Sequence, residues 1–169
     1  MNEISVSELT INPFDEIAKK WMLVTAGTEG SYNTMTASWG QLGSLWGHGG
    51  GLPTSTIFIR PQRYTREFVD REDDYTLCFF PDSCRKALSY LGSHSGRDED
   101  KVANAGLTPV FEDGYTYFAE AELVLVCRKL YHGTLTEEGF LDKTILDTCY
   151  PNRDLHEMYI GQIVKVLKS

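Results

Sequence analysis

The chain has 169 residues, with 16 Lys+Arg against 24 Asp+Glu for a formal net charge of −8, and it is 41% hydrophobic and 24% charged. These are globular values, and the length suits one domain with a sizeable core, taken here as residues 1–169, rather than a disordered chain. The acidic balance argues against nucleic acid as the main partner and against an electrostatic membrane anchor, no apolar run approaches a membrane span, and the polar opening "MNEISVSELTINPFDEI" does not read as a signal peptide.

In chain order, "KKWMLVTAG" (19–27) and "NTMTASWG" (33–40) are short β-type runs separated by the Gly- and Ser-containing "TEGSY", and read as a hairpin. "GHGGG" (47–51) has the glycines of a phosphate loop, but no Gly-Lys-Ser/Thr and no helix follows it, so a surface loop is expected. "STIFIR" (55–60) and "DYTLCFF" (74–80) are further strands. "TREFVDRED" has a helical pattern, "DSCRKALSYLG" ends in a glycine suited to a helix C-cap, and "DEDKVANAG" has the same ending. "YTYFAEAELVLVCRKLYHG" (115–133) alternates and then turns wholly apolar, which predicts one long strand, bent and buried on both faces from Leu123 to Val126. "EMYIGQIVKVLK" is a last strand. Strands outnumber helices without alternating regularly with them, so a mainly β (α+β) antiparallel barrel or sandwich is expected, not a doubly wound sheet.

Cys78, Cys84, Cys127 and Cys149 are scattered, with no Cys-x-x-Cys pair to signal a metal clamp or a dithiol. They read as free thiols in a reducing, cytoplasmic setting.

Three stretches could carry chemistry. "RPQRYTREF" crowds Arg60, Arg63 and Arg66 where a strand hands over to a helix, with Thr65 placed to cap that helix. Unpaired N–H groups of a first helical turn beside arginine forks make a pocket for a phosphate or carboxylate. The same arginines could equally pair with Glu67, Asp70, Glu72 and Asp73 on a solvated face, and local sequence leaves both readings open. "GSHSGRDEDK" gathers Ser93, Ser95, Gly96, Arg97 and Lys101 near another helix start, as an anion site or an ordinary polar turn. In "YNTMTASWG", the small and hydroxyl residues Thr34, Thr36, Ala37 and Ser38 would let a flat ring approach the strand backbone, with Trp39 and Trp46 available to cover one face or to sit in a core.

Taken in order, "NTMTASWG", "LWG", "IFIRPQRYT", "SGRDEDK", "AGLTP" and "DLHEMYIGQI" make the chain resemble the flavin reductase-like family of FMN-binding split barrels, flavoredoxin-type, from Trp21 to about Val166. The resemblance implies a six-stranded antiparallel Greek-key split barrel with flanking helices, a homodimer, and FMN near the subunit boundary. It implies that Thr34, Met35, Thr36, Ala37, Ser38 and Trp39 lie against the isoalloxazine and ribityl portions. Arg60, Arg63, Tyr64 and Thr65, with Ser93, Ser95, Arg97 and Lys101, would serve the phosphate and ribityl region. The "GHGGGLPTS" segment departs from the shorter link of the family pattern.

The function implied is an FMN-dependent oxidoreductase accepting electrons from NAD(P)H, with no side-chain nucleophile and no metal needed. His156 is the one catalytic candidate, as a hydrogen-bond or proton donor near the ring, against a structural role holding a loop. Two other classes stand beside it: a flavoredoxin-type electron carrier reduced by a protein donor, and a binding module whose FMN is structural or absent.

Overall fold

Gly30, at φ 80°, turns the chain through a two-residue loop, and the β-type runs on either side pair from Thr28↔Ser31 to Met22↔Ala37. This hairpin, β2 (Met22–Thr28) and β3 (Ser31–Ala37), opens the barrel in a computed structural model that describes residues 1–169. The remaining strands are β1 (Asn2–Ile4), β4 (Gly40–Leu45), β5 (Leu52–Ile59), β6 (Asp74–Phe79), β7 (Pro109–Glu112), β8 (Tyr115–Phe118), β9 (Leu123–Thr134) and β10 (Glu157–Lys168). Five short helices flank them: α1 (Pro13–Asp15), α2 (Tyr64–Arg71), α3 (Arg85–Ser93), α4 (Lys101–Ala105) and α5 (Thr144–Cys149).

The main sheet is antiparallel throughout, in the order β3-β2-β6-β9-β10-β5-β4, with β1 on β10 and β7-β8 as a separate hairpin. Mainly β architecture with flanking helices is thus what the sequence leads one to expect. The main sheet holds eight strands by pairing, more than the six of the implied barrel, because β1 pairs beside the C-terminal end of the twelve-residue β10 and β4 adds an edge on β5.

Period-two alternation decides which side chains go where. Met22 and Val24 of β2 join an inner core with Leu77, Leu125, Ile57 and Tyr159, while Leu23 between them joins an outer core with Cys78, Leu88, Leu91 and Phe118. Along β9, Leu123 and Leu125 point to the inner core and Val124 and Val126 to the outer one, so this run is buried on both faces as its composition predicts. Burial pushes the Cys78 and Cys127 thiols up to about 12, and all four cysteines are free.

Several local expectations are corrected. The run 115–133 is not one bent strand: Ala121 N–H bonds to Phe118 C=O in a turn, so β8 pairs with β7 while β9 pairs with β6 and β10. Gly92 does not cap α3 but lies inside it, where a Cβ would sit 3.3 Å from Thr36 Cβ. Its lack of a side chain lets α3 press against β3, and Thr36 Oγ1 donates to Leu88 C=O at 2.6 Å. Thr65 does not cap α2. Arg63 occupies the cap position, and Thr65 is buried and accepts a hydrogen bond from Asn33 Nδ2 at 2.8 Å. Gly106, at φ 72°, does close α4 as expected. The glycine-rich stretch 47–51 is the exposed loop between β4 and β5. No helix is long and apolar enough to cross a membrane.

Candidate functional site

Two strand pairings build a cleft. Because Ile59 of β5 pairs with Glu157 of β10, Arg60 and His156, each one step outside its strand, are brought to the same rim. Because Gly40 of β4 pairs with Ile57 of β5, Trp39 is carried to the level of Phe58. The resulting inner cavity, of about 240 Å³, is lined by Met35, Thr36, Ala37, Ser38 and Trp39 on one side and Phe58, Arg60, Arg63 and His156 on the other. Met35, Arg60 and Arg63 also line an outer cavity of about 200 Å³ that Asn33, Tyr64, Thr65, Ser93, Ser95 and Lys101 complete. The two are halves of one cleft, the inner half walled by Trp39, Phe58 and small side chains, the outer half cationic.

Two of the expected residues lie elsewhere. Thr34 is fully buried on the other side of β3, with its hydroxyl 2.8 Å from that of Thr25 and donating to Val24 C=O, because strand alternation turns it away from its neighbours Asn33 and Met35. Arg97 crosses the Tyr64 ring at 4.5 Å to pair with Glu67, and it lines a further cavity that shares Asn33, Tyr64 and Lys101 with the outer one. Arg66 takes the solvated-face reading, bonded to Pro61 C=O and Asp70.

The cations of the cleft differ in how they are occupied. Arg60 is neutralised by Asp154 at 2.7 Å, donates to Cys149 C=O at 2.8 Å, and lies 5.1 Å from the Tyr150 ring centroid. Its first task is to hold the segment that precedes β10. Arg63 donates to Gly92 C=O and Lys101 donates to Leu91 and His94 C=O, so both spend hydrogen bonds on backbone carbonyls and neither on a carboxylate. Lys101 is only 5% exposed, and burial, then the Arg63 charge, pushes its ammonium down to about 8. Two like charges held together in a half-buried pocket favour an anion between them. Ser95 Oγ accepts from Arg97 N–H and keeps its own proton to donate, whereas the Ser93 hydroxyl is already directed at Ser89 and Tyr90 C=O. A phosphate monoester fits this donor set.

His156 is 7% exposed, and its Nδ1 lies 2.7 Å from the Tyr150 hydroxyl. Burial, followed by the Arg60 and Arg63 charges and opposed by Asp154, pushes the imidazole down to about 4. It is therefore neutral at neutral pH and offers the cleft a hydrogen bond rather than a positive charge. Trp39 stands 5.0 Å from it, centroid to centroid, and Phe58 6.4 Å. Sequence reasoning missed Tyr150, Phe58, Asn33 and Asp154. Only Phe58 had a readable signal, as a strand aromatic beside "IRPQR".

The flavin reductase like domain model matches residues 14–168. The chain belongs to that family. Among solved structures, the flavin reductase-like domain is similar to an FMN-binding domain of a flavin reductases-like enzyme from Shewanella baltica (16% identity, TM-score 0.67, covering 98% of this chain and 75% of that one). It is similar to flavoredoxin from Methanosarcina acetivorans (18%, TM-score 0.66, 96% and 75%). It is also similar to an NADH:FAD oxidoreductase from Streptomyces globisporus (14%, TM-score 0.65, 89% and 76%). No curated protein matches it. At these identities the likeness establishes that the flavin reductase-like domain here has the split-barrel fold.

Proposed function

We propose that this chain binds FMN in the cleft and serves as an NAD(P)H-dependent flavoprotein oxidoreductase. The observation that carries the reading is the pairing of Arg63 with the buried Lys101, two cations without a carboxylate at the outer end of a cleft whose inner end is walled by Trp39 and Phe58. Bound FMN would supply two-electron redox chemistry. The chain's own residues do the rest. Lys101, Arg63 and Ser95 hold the phosphate. Ser38, Ala37 and Met35 leave room for the ring along β3. His156, kept neutral, presents a hydrogen-bond donor at the inner end, and Arg60 fixes the segment that carries it. The S. globisporus relative is an NADH oxidoreductase and the M. acetivorans relative a flavoredoxin. An electron carrier reduced by a protein donor is therefore the alternative, which the net charge of −8 would suit with a basic partner.

The proposal includes a homodimer in the cytoplasm. Surplus apolar strand surface at Leu123 to Val126 does not support the dimer, since those side chains are all consumed by the chain's own two cores. Leu45 of β4, Leu130 and Tyr131 of β9 and Val164 of β10, 40–46% exposed, are strand positions with apolar surface left to cover. The functional reading is tested by adding FMN to the purified protein, passing it through a desalting column and recording its visible spectrum. A retained flavin band supports it, and a colourless protein overturns it.

A further inference from the structure

The outer cavity runs on, past Asn33, Tyr64 and Lys101, into the further cavity of about 540 Å³. The charge changes sign along that path. The outer cavity is lined by Arg60, Arg63 and Lys101 and by no carboxylate, whereas the further one is lined by Asp98, Glu99 and Asp100. The cations of the further cavity are Lys101, which already belongs to the outer one, and Arg97, which is paired with Glu67. Arg97 also lies over the Tyr64 ring at 4.5 Å, so the face it covers is closed to another ring. The acidic turn is held in place. A Cβ on Gly96 would sit 2.2 Å from Asn33 Oδ1, so the turn lies directly against β3. Glu99 accepts from the Tyr90 hydroxyl at 2.7 Å, and Asp100 accepts from Ala103 N–H as the cap of α4.

The solved relatives include an FMN-binding domain and an NADH:FAD oxidoreductase, so the fold does not by itself choose between flavin mononucleotide and dinucleotide. Resting on the proposed function, we infer that the acidic turn makes that choice in this chain: Asp98 and Asp100 repel the second phosphate of FAD and select FMN. The phosphate of FMN is a monoester carrying close to two negative charges at neutral pH, and both sit beside Arg63 and Lys101. The diphosphate of FAD carries one charge on each phosphate. One stays with Arg63 and Lys101, and the other is carried past Lys101 towards three carboxylates and no uncommitted cation. FAD thus loses attraction in the outer cavity and meets repulsion beyond it. The carboxylates act against a competitor and bind nothing themselves, which is how a site built for one ligand rejects its longer analogue.

The test compares FMN with FAD by calorimetry on the full chain freed of flavin, for wild type and for the double variant Asp98→Asn with Asp100→Asn. Both positions are exposed, and asparagine at 100 can still cap α4. Wild type should bind FMN on the order of tenfold or more tighter than FAD. The double variant should tighten FAD roughly five- to tenfold more than it tightens FMN, and this difference should largely vanish in 1 M salt, where charges are screened within about 3 Å. Its binding of FMN shows that the variant is folded. Wild-type affinity for FAD equal to or above that for FMN, or a variant that shifts both flavins alike, overturns the selection and leaves the cofactor reading standing. A variant effect that persists undiminished in 1 M salt also overturns it, because repulsion between charges cannot then be its cause. A wild type that binds neither flavin overturns the cofactor reading and the selection together.

Discussion

The Tyr150 hydroxyl and His156 Nδ1 lie 2.7 Å apart, and that contact is the hydroxyl's one hydrogen bond. Tyr150 is 2% exposed and its hydroxyl has no other acceptor within reach, so a buried proton goes unpaired unless the O–H donates and Nδ1 accepts. The proton of the neutral imidazole then sits on Nε2, which has no partner in the protein and can serve the cleft. Tyr150→Phe should release this tautomer, visible as a change in the ¹⁵N shifts of His156. It should slow flavin reduction on the order of tenfold, against roughly 10²-fold for His156→Ala, the lower end for a general acid–base group. Unchanged ¹⁵N shifts in Tyr150→Phe would return the tyrosine to a packing role.

The same residue makes stability depend on acid. His156 is pushed from 6.5 down to about 4 in the fold, so between those values the unfolded chain binds the extra proton and the folded chain does not. Stability contributed by His156 is therefore full above pH 6.5 and lost as pH falls towards 4, a change of order 3 kcal/mol at most. Denaturant midpoints measured from pH 7 to pH 4 should fall steeply in wild type and less so in His156→Gln. Parallel curves would contradict the assignment.

Lys101 sets a second pH dependence with a different sign for binding. Its ammonium is pushed down to about 8 by burial and Arg63, so it loses its charge as pH rises through that value. FMN affinity should weaken between pH 7 and pH 9.5, while riboflavin affinity stays flat. Lys101→Met should bind FMN weakly at every pH in that range. A titration series in which wild type and Lys101→Met share one pH profile would remove Lys101 from the phosphate site.

Arg60 and Arg63 should behave differently when replaced. Arg60→Ala breaks the contacts to Asp154 and Cys149 C=O and should lower stability by about 1–2 kcal/mol, since the pair is a quarter exposed. Arg63→Ala should leave stability nearly unchanged and act on FMN. Thermal melts of the two variants with and without FMN separate these outcomes, and equal melting losses would erase the distinction.

Much of this was legible in the residues. The last strand matches β10 from Glu157 to Lys168 because its β-branched and aromatic residues leave no competing pattern. The hairpin and the two-faced burial of Leu123 to Val126 follow from the same logic. What failed was local chemistry overruled by tertiary packing. Gly92 looks like a cap, yet it serves the close approach of α3 to Thr36. β4 escaped notice because "GQLGSL" has little strand propensity and forms only as an edge on β5. The arginine cluster was legible as a group but not in its division of labour, since Arg60 finds Asp154 ninety-odd positions away and Arg97 finds Glu67. Lys101 stands out only once the fold buries it beside Arg63.

The measurement that bears most directly on the site is a paired equilibrium titration of the wild-type protein, freed of flavin, with FMN and with riboflavin. The two ligands differ only in the phosphate that Arg63, Lys101 and Ser95 are assigned to hold. FMN should bind more tightly by on the order of 1.5–3 kcal/mol, the range for hydrogen bonds to charged groups, and Arg63→Ala should remove most of the difference. Equal affinity for FMN and riboflavin in the wild type would contradict the account.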